Sequence, residues 1–126
     1  MKTVCAIRDL YKVLHDFETT FEETYSLSLN EAMVLCALGE IAVPTIPSQL
    51  GAQIGFRNSH LSKLLRRLEQ KELISRSLGQ EDRRQMFFAL TSKGEERIQQ
   101  LDLEQIEIPE MLRPLLKLSS AVSMKP

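Results

Sequence analysis

Between Arg57 and Arg67 the chain gathers Arg57, Asn58, Ser59, His60, Ser62, Lys63, Arg66 and Arg67, nearly all of them hydrogen-bond donors or cations. Arginine and lysine suit the acceptor edge of guanine, asparagine suits adenine, and serine or histidine can serve at either. Arg66 and Arg67, a turn beyond the first group, suit phosphates, which fix register without reporting sequence. A second pair, Arg83 and Arg84, lies in the charged tip Glu81-Asp82-Arg83-Arg84 between two strand-like runs, Ile74 to Leu78 and Gln85 to Thr91. Arginines at such a tip match the negative potential of a narrow minor groove. Asp82 has the wrong charge for a phosphate contact, so its expected work is internal, pairing with an arginine or capping the turn.

Other chemistry finds little support. There is no nucleophile elbow, phosphate loop or HExxH motif, so no catalytic residue is assigned. His15 and His60 have no partner pattern, and without a Cys/His cluster neither a metal site nor a cofactor is expected. Two cysteines are too few for a disulfide framework.

The overall formal charge of −1 conceals an asymmetry. From Arg57 to Arg84 eight basic residues stand against four acidic ones, a local +4 that leaves −5 for the remainder. A near-neutral total therefore does not exclude nucleic acid, because the local field is what meets phosphates. The same charges would also suit a solvated helix face. At 126 residues the chain is long enough for one domain with its own core. It holds no apolar run of the ~18 residues needed to cross a bilayer and no signal-peptide pattern, so no membrane partner is expected and the cytoplasm is the expected location.

The elements that must position these residues are mostly helical. Ile7, Leu10, Tyr11, Leu14, Phe17 and Phe21 share one face of a helix over about residues 5 to 25. Ser28 with Glu31 forms a capping-box signature for a helix through about Glu40, with Ala32, Leu35, Cys36 and Leu38 to Ile41 inside. Val43 to Pro47 leaves room for a very short strand, and Pro47 opens a short helix that Gly55 ends. After the link Gly55-Phe56-Arg57-Asn58, Leu61, Leu64, Leu65 and Leu68 give the apolar stripe of the helix that carries the cations. The hairpin follows. Thr91-Ser92 then starts a helix to about Gln105 with Ile98, Leu101 and Leu103 on its apolar side. Pro109 can open a last one containing Met111, Leu112, Leu115, Leu116, Leu118 and Val122. Two helices with a short link, the second polar toward its N-terminus, are a helix-turn-helix candidate.

The residues resemble the MarR-type winged helix-turn-helix regulators of bacteria. The hairpin matches that family's Asp-x-Arg…Leu-Thr-x-x-Gly pattern through Asp82, Arg84, Leu90, Thr91 and Gly94. Ser48 to Gly55 looks like its first helix-turn-helix helix and Ser59 to Glu69 like its recognition helix, so the likeness runs over about residues 28 to 97. It implies a mainly α fold with a small β-hairpin, in the order α-α-β-α-α-β-β-α-α. It further implies a single domain over 1–126, with a DNA-binding core at 28–91 and a helical dimerisation region from 1–27 and 92–126. The terminal helices would form the homodimer interface. Family members commonly repress genes, and some release DNA on binding small phenolic or apolar effectors. Others sense oxidants through a cysteine near the N-terminus, the position of Cys5, with Arg8 one turn away. Glu72 stands where the family usually has glycine, so the recognition helix lacks the residue that ends a helix most easily.

Two functions follow as expectations. The first is a sequence-specific regulator, a repressor by family habit, which binds a pseudo-palindromic double-stranded operator with its recognition helix in the major groove and its wing in the minor groove. The alternative is a winged-helix protein-interaction module that docks an acidic partner without binding DNA.

Overall fold

The computed structural model describes residues 2–101 and 108–114. They fall into two compact units, residues 27–101 and the two ends of the chain, 1–26 with 102–126. Among the described residues no helix is long and apolar enough to cross a membrane.

In the larger unit, helix α2 (Leu29–Ile41) begins with a complete capping box. The Ser28 hydroxyl accepts from the Glu31 N–H at 3.0 Å, and the Glu31 carboxylate accepts from the Ser28 N–H at 2.7 Å. Both ends of the bargain satisfy donors that a helix start leaves open. Ala32, Leu35 and Leu38 are buried as their spacing predicts, together with Val34 and Ala37. Cys36, expected inside, is instead exposed, as are Gly39 and Glu40. A helix apolar on nearly all sides does not show by its own spacing which strip its neighbours will cover, and Cys36 lies on the uncovered one. Helix α3 (Pro47–Ile54) starts at Pro47, whose missing N–H costs nothing there. It ends at Gly55, at φ 89°, a conformation that only glycine takes without strain.

Helix α4 (Asn58–Gln70) buries Leu61, Leu64, Leu65 and Leu68. Asn58 belongs to its first turn rather than to the link before it. Strands β1 (Ile74–Leu78) and β2 (Met86–Leu90) pair antiparallel, with Ile74 opposite Leu90, Arg76 opposite Phe88 and Leu78 opposite Met86. The short strand expected at Val43 to Pro47 shrinks to one bridge, in which Thr45 exchanges both backbone hydrogen bonds with Phe88 at 3.0 and 2.8 Å. Pro47, two residues on and next in line to pair, has no N–H to donate, so the ladder goes no further in that direction. Helix α5 (Ser92–Gln100) is shorter than expected. Leu101 leaves the helical conformation, at ψ 56°, while its N–H closes the last turn on Arg97 and Ile98. The rest of the predicted stretch, Leu103 included, lies outside the described residues.

In the other unit, helix α1 (Lys2–Tyr25) stacks Phe17 on Phe21 and Phe21 on Tyr25, ring centroids 6.2 and 4.8 Å apart. Its first half carries an open apolar stripe: Val4, Ile7 and Tyr11 are exposed. Near the other end Pro109 precedes a single 3₁₀ turn, Glu110–Leu112. Leu115, Leu116, Leu118 and Val122 of the expected last helix lie outside the described residues. The winged-helix arrangement of helices and one hairpin is as the sequence implies; among the described residues the differences are in the lengths of its first strand and of α5.

Candidate nucleic-acid interface

The recognition-helix residues are all on the surface. Arg57, Asn58, Ser59, His60, Ser62, Lys63, Arg66 and Arg67 are exposed, while the leucines on the opposite side of α4 are not. Arg57, Lys63, Arg66 and Arg67 make no ion pair with a described residue. Their charges are held by nothing in the described chain, which is the condition a cation must meet to be free for an anionic ligand. His60 is partly engaged: its ring lies against Phe56, centroids 4.8 Å apart, and Nε2 is 3.5 Å from the Asn30 amide nitrogen.

The other end of α4 is fastened by two devices. Glu72, at φ 62°, adopts the left-handed conformation despite its side chain. Its N–H reaches the Glu69 carbonyl at 2.9 Å and the Leu73 N–H reaches the Leu68 carbonyl at 3.0 Å, a full Schellman closure. The second device joins elements distant in sequence. Lys71 places its ammonium 3.1 and 3.2 Å from the two Glu31 carboxylate oxygens. Burial would push the Glu31 carboxyl up, but the Ser28 N–H and the Lys71 ammonium outweigh it and hold the group below its ordinary 4.5. Helix α4 is thereby pinned to the start of α2.

At the hairpin tip Asp82 folds back on Arg84. Its Oδ1 accepts from the Arg84 N–H at 3.0 Å and from Nε at 3.2 Å, and Oδ2 lies 3.4 Å from Nη2. The side-chain bond and then the backbone bond from Arg84 hold this carboxyl below its ordinary range. Arg84 remains highly exposed, and Arg83 is exposed with no ion pair to a described residue. Leu90 is half-buried at the base of the hairpin. Thr91 caps α5, accepting from the Gly94 N–H at 3.0 Å and donating to the Glu72 carbonyl at 2.7 Å. Gly94 packs so closely on the Leu73 carbonyl that a Cβ there would overlap it.

Between α4 and the hairpin runs a cleft of about 390 Å³, walled by Ser62, Arg66 and Glu69 on one side and Arg76, Met86 and Phe88 on the other. Arg76 and Glu69 form an ion pair across it, Nε 3.0 Å from Oε2. Glu69 figures in the sequence only as the last residue of the recognition-helix likeness, and Arg76 in no motif. Strand alternation alone gave a signal, since it sets Arg76 on the face of β1 that carries Ile74. At the N-terminus Cys5 is half-buried, and the Arg8 guanidinium that could have served it is bound to Asp9 at 3.1 and 3.2 Å. The exposed Cys36 thiol is pushed up, first by local desolvation and then by Glu40. No group of side chains among the described residues could hold a metal ion.

A family model for the transcriptional regulators SarA/Rot matches residues 16–101, more than half of the chain. The chain belongs to the SarA/Rot family of transcriptional regulators. That is a family of regulators rather than enzymes. A comparison with curated protein sequences found no match. Solved structures share the fold at low identity. A mutant of Escherichia coli MarR complexed with operator DNA is 19% identical, with TM-score 0.71 over 96% of this chain and 95% of that one. Bordetella bronchiseptica BpsR, described for regulation of its DNA binding by 6-hydroxynicotinic acid, is 20% identical, with TM-score 0.71 over 98% and 99%. A mutant of Staphylococcus aureus MepR bound to an oligodeoxyribonucleotide is 17% identical, with TM-score 0.60 over 98% and 96%. This SarA/Rot regulator therefore has the MarR winged-helix fold.

Proposed function

We propose that this regulator binds a pseudo-palindromic DNA operator as a homodimer in the cytoplasm and represses the genes beside it. Each α4 would lie in a major groove, and each hairpin would reach the flanking minor groove through Arg83 and Arg84. One observation carries the reading: Arg57, Lys63, Arg66 and Arg67 are exposed without an ion pair to any described residue, on the helix whose opposite side is anchored by four buried leucines. Asn58, Ser59, His60, Ser62 and Lys63, near the N-terminal end of that helix, supply donors for base edges. MarR and MepR, proteins of like fold solved in complex with DNA, support a DNA-binding reading. A cleft of about 310 Å³ lined by Leu38, Val43, Pro44, Leu90 and Ile98 is of a size and polarity to take a small apolar or phenolic effector.

Selection of bound sequences from a random duplex pool, followed by affinity measurements across ionic strength, tests the proposal. A recovered palindrome and a steep loss of affinity with salt are expected. Negligible binding at low salt would instead favour a module that docks an acidic protein on the same cations.

A further inference from the structure

We infer that the cleft between α4 and the hairpin seats one DNA phosphate, with Arg76 as its contact and Glu69 as the residue that aims it. The inference rests on the operator-binding reading above. If α4 occupies a major groove and the wing the next minor groove, a sugar-phosphate strand must cross between them, and this cleft is what lies between them.

Its lining suits that strand. Ser62, Arg66 and Glu69 follow one another at helical spacing along the side of α4 that faces the hairpin, and Arg76 and Met86 face them from β1 and β2. Two cations against one carboxylate leave the cleft one positive charge, the complement of a single phosphate. Met86 and Phe88 form an apolar wall, against which the Arg66 and Arg76 charges are less screened than on an open surface. The Glu69 carboxylate, on its own, would repel DNA. Its position explains its presence: it forms an ion pair with Arg76, its Oε2 3.0 Å from the guanidinium Nε. With the carboxylate nearest Nε, the Nη groups keep their donors, and the ion pair would hold the planar fork toward arriving DNA. Arg76 is about half exposed, so the fork is within reach of a ligand.

The test separates this contact from both net charge and the parent reading. Arg76→Gln combined with Glu69→Gln leaves the net charge of the protein unchanged. For this double variant we expect several-fold weaker binding to selected and random duplexes alike, and a log affinity versus log salt slope shallower by about one unit. Arg76→Lys keeps the charge and loses the fork; it should retain the slope and still bind more weakly. Glu69→Ala removes a negative charge next to DNA, so simple electrostatics predicts tighter binding, whereas loss of the brace predicts weaker binding. Circular dichroism of each variant establishes that it is folded. Unchanged affinity and slope in the double variant, or tighter binding by Glu69→Ala, would overturn the inference while wild-type binding left the operator reading standing. Failure of the wild-type protein to bind any duplex would overturn both.

Discussion

The Thr91 hydroxyl donates a 2.7 Å hydrogen bond to the carbonyl of Glu72, joining the residue that starts α5 to the residue that ends α4. The Thr91 N–H adds a second link, to the Leu73 carbonyl at 3.1 Å. The chain has travelled out along the hairpin and back between these positions. Both strands therefore leave and re-enter the core at one closed point, and the direction of the hairpin is set by the end of α4.

Thr91→Val should lower stability by about 1–2 kcal/mol, since it removes an N-cap acceptor and a donor to a backbone carbonyl. Glu72→Gly should do the reverse. A residue with a side chain pays for the left-handed conformation at φ 62°, and glycine does not, so a gain of about 1 kcal/mol is expected. The ion pair lost with Glu72, 3.9 Å to Lys93 between exposed side chains, contributes little. Urea unfolding of the two variants checks both signs; equal midpoints would refute the closure.

Acid sensitivity should trace to Glu31. Its carboxyl is held below the ordinary 4.5, so it is the folded state that releases the proton more readily. The stability this supplies is complete above about pH 4.5 and fades as pH falls through the lower folded value. Glu31→Gln should flatten that acid limb and cost about 1 kcal/mol near neutrality through the capping box. Lys71→Met leaves the carboxylate without its cation, and because Lys71 is itself part-exposed the cost should be about 1–2 kcal/mol, larger than that of Glu31→Gln. Unfolding curves from pH 3 to 7 distinguish the two.

What could be read from the sequence was whatever repeats with the period of an element or depends on near neighbours. The stripe Leu61, Leu64, Leu65 and Leu68 announces a helix and its buried side, and Ser28 with Glu31 announces where a helix starts. The exposed position of Cys36 depends on which neighbours cover α2, and an apolar helix carries no record of that. The Glu31–Lys71 pair joins residues forty positions apart, and Arg76 meets Glu69 only because the hairpin turns back along α4. At Glu72 the sequence points to a missing glycine, yet the motif forms, because Leu68 and Leu73 are both fully buried and hold the turn closed.

Base preference should follow the first turns of α4. Asn58→Ala and Lys63→Ala are expected to change which bases are enriched in a random-pool selection, each wrong base pair costing about 1–3 kcal/mol in the wild type. Arg67→Ala, further along, should weaken all sequences alike. A consensus that survives both of the first substitutions would refute the assignment of that end of the helix to base edges.

The wing should act through Arg84. Arg84→Ala is expected to weaken binding across many duplexes and to reduce the salt slope by about one unit. Asp82→Ala makes the protein more positive, which alone favours DNA. It also removes acceptors for the Arg84 N–H and guanidinium, so the tip loses its fixed geometry and affinity should fall. Tighter binding by Asp82→Ala would mean that Asp82 merely repels DNA.

Dimerisation should depend on the first half of α1. Val4, Ile7 and Tyr11 follow one another at helical spacing and are all exposed, Tyr11 at 72%. Covering such side chains stabilises an interface by about 1.5–3 kcal/mol each when burial is complete, and an aromatic residue commonly carries the largest share. A twin subunit presenting the same stripe would bury both copies at once, as a two-fold interface requires. Tyr11→Asp places a charge in that stripe and should shift the protein to monomer in sedimentation equilibrium. The monomer would retain its fold and bind a single half-site. Its affinity for the full operator should then fall far more than for a half-site, because the second contact is no longer intramolecular. A variant that sediments as the wild type does, with operator affinity intact, would place the dimer interface elsewhere.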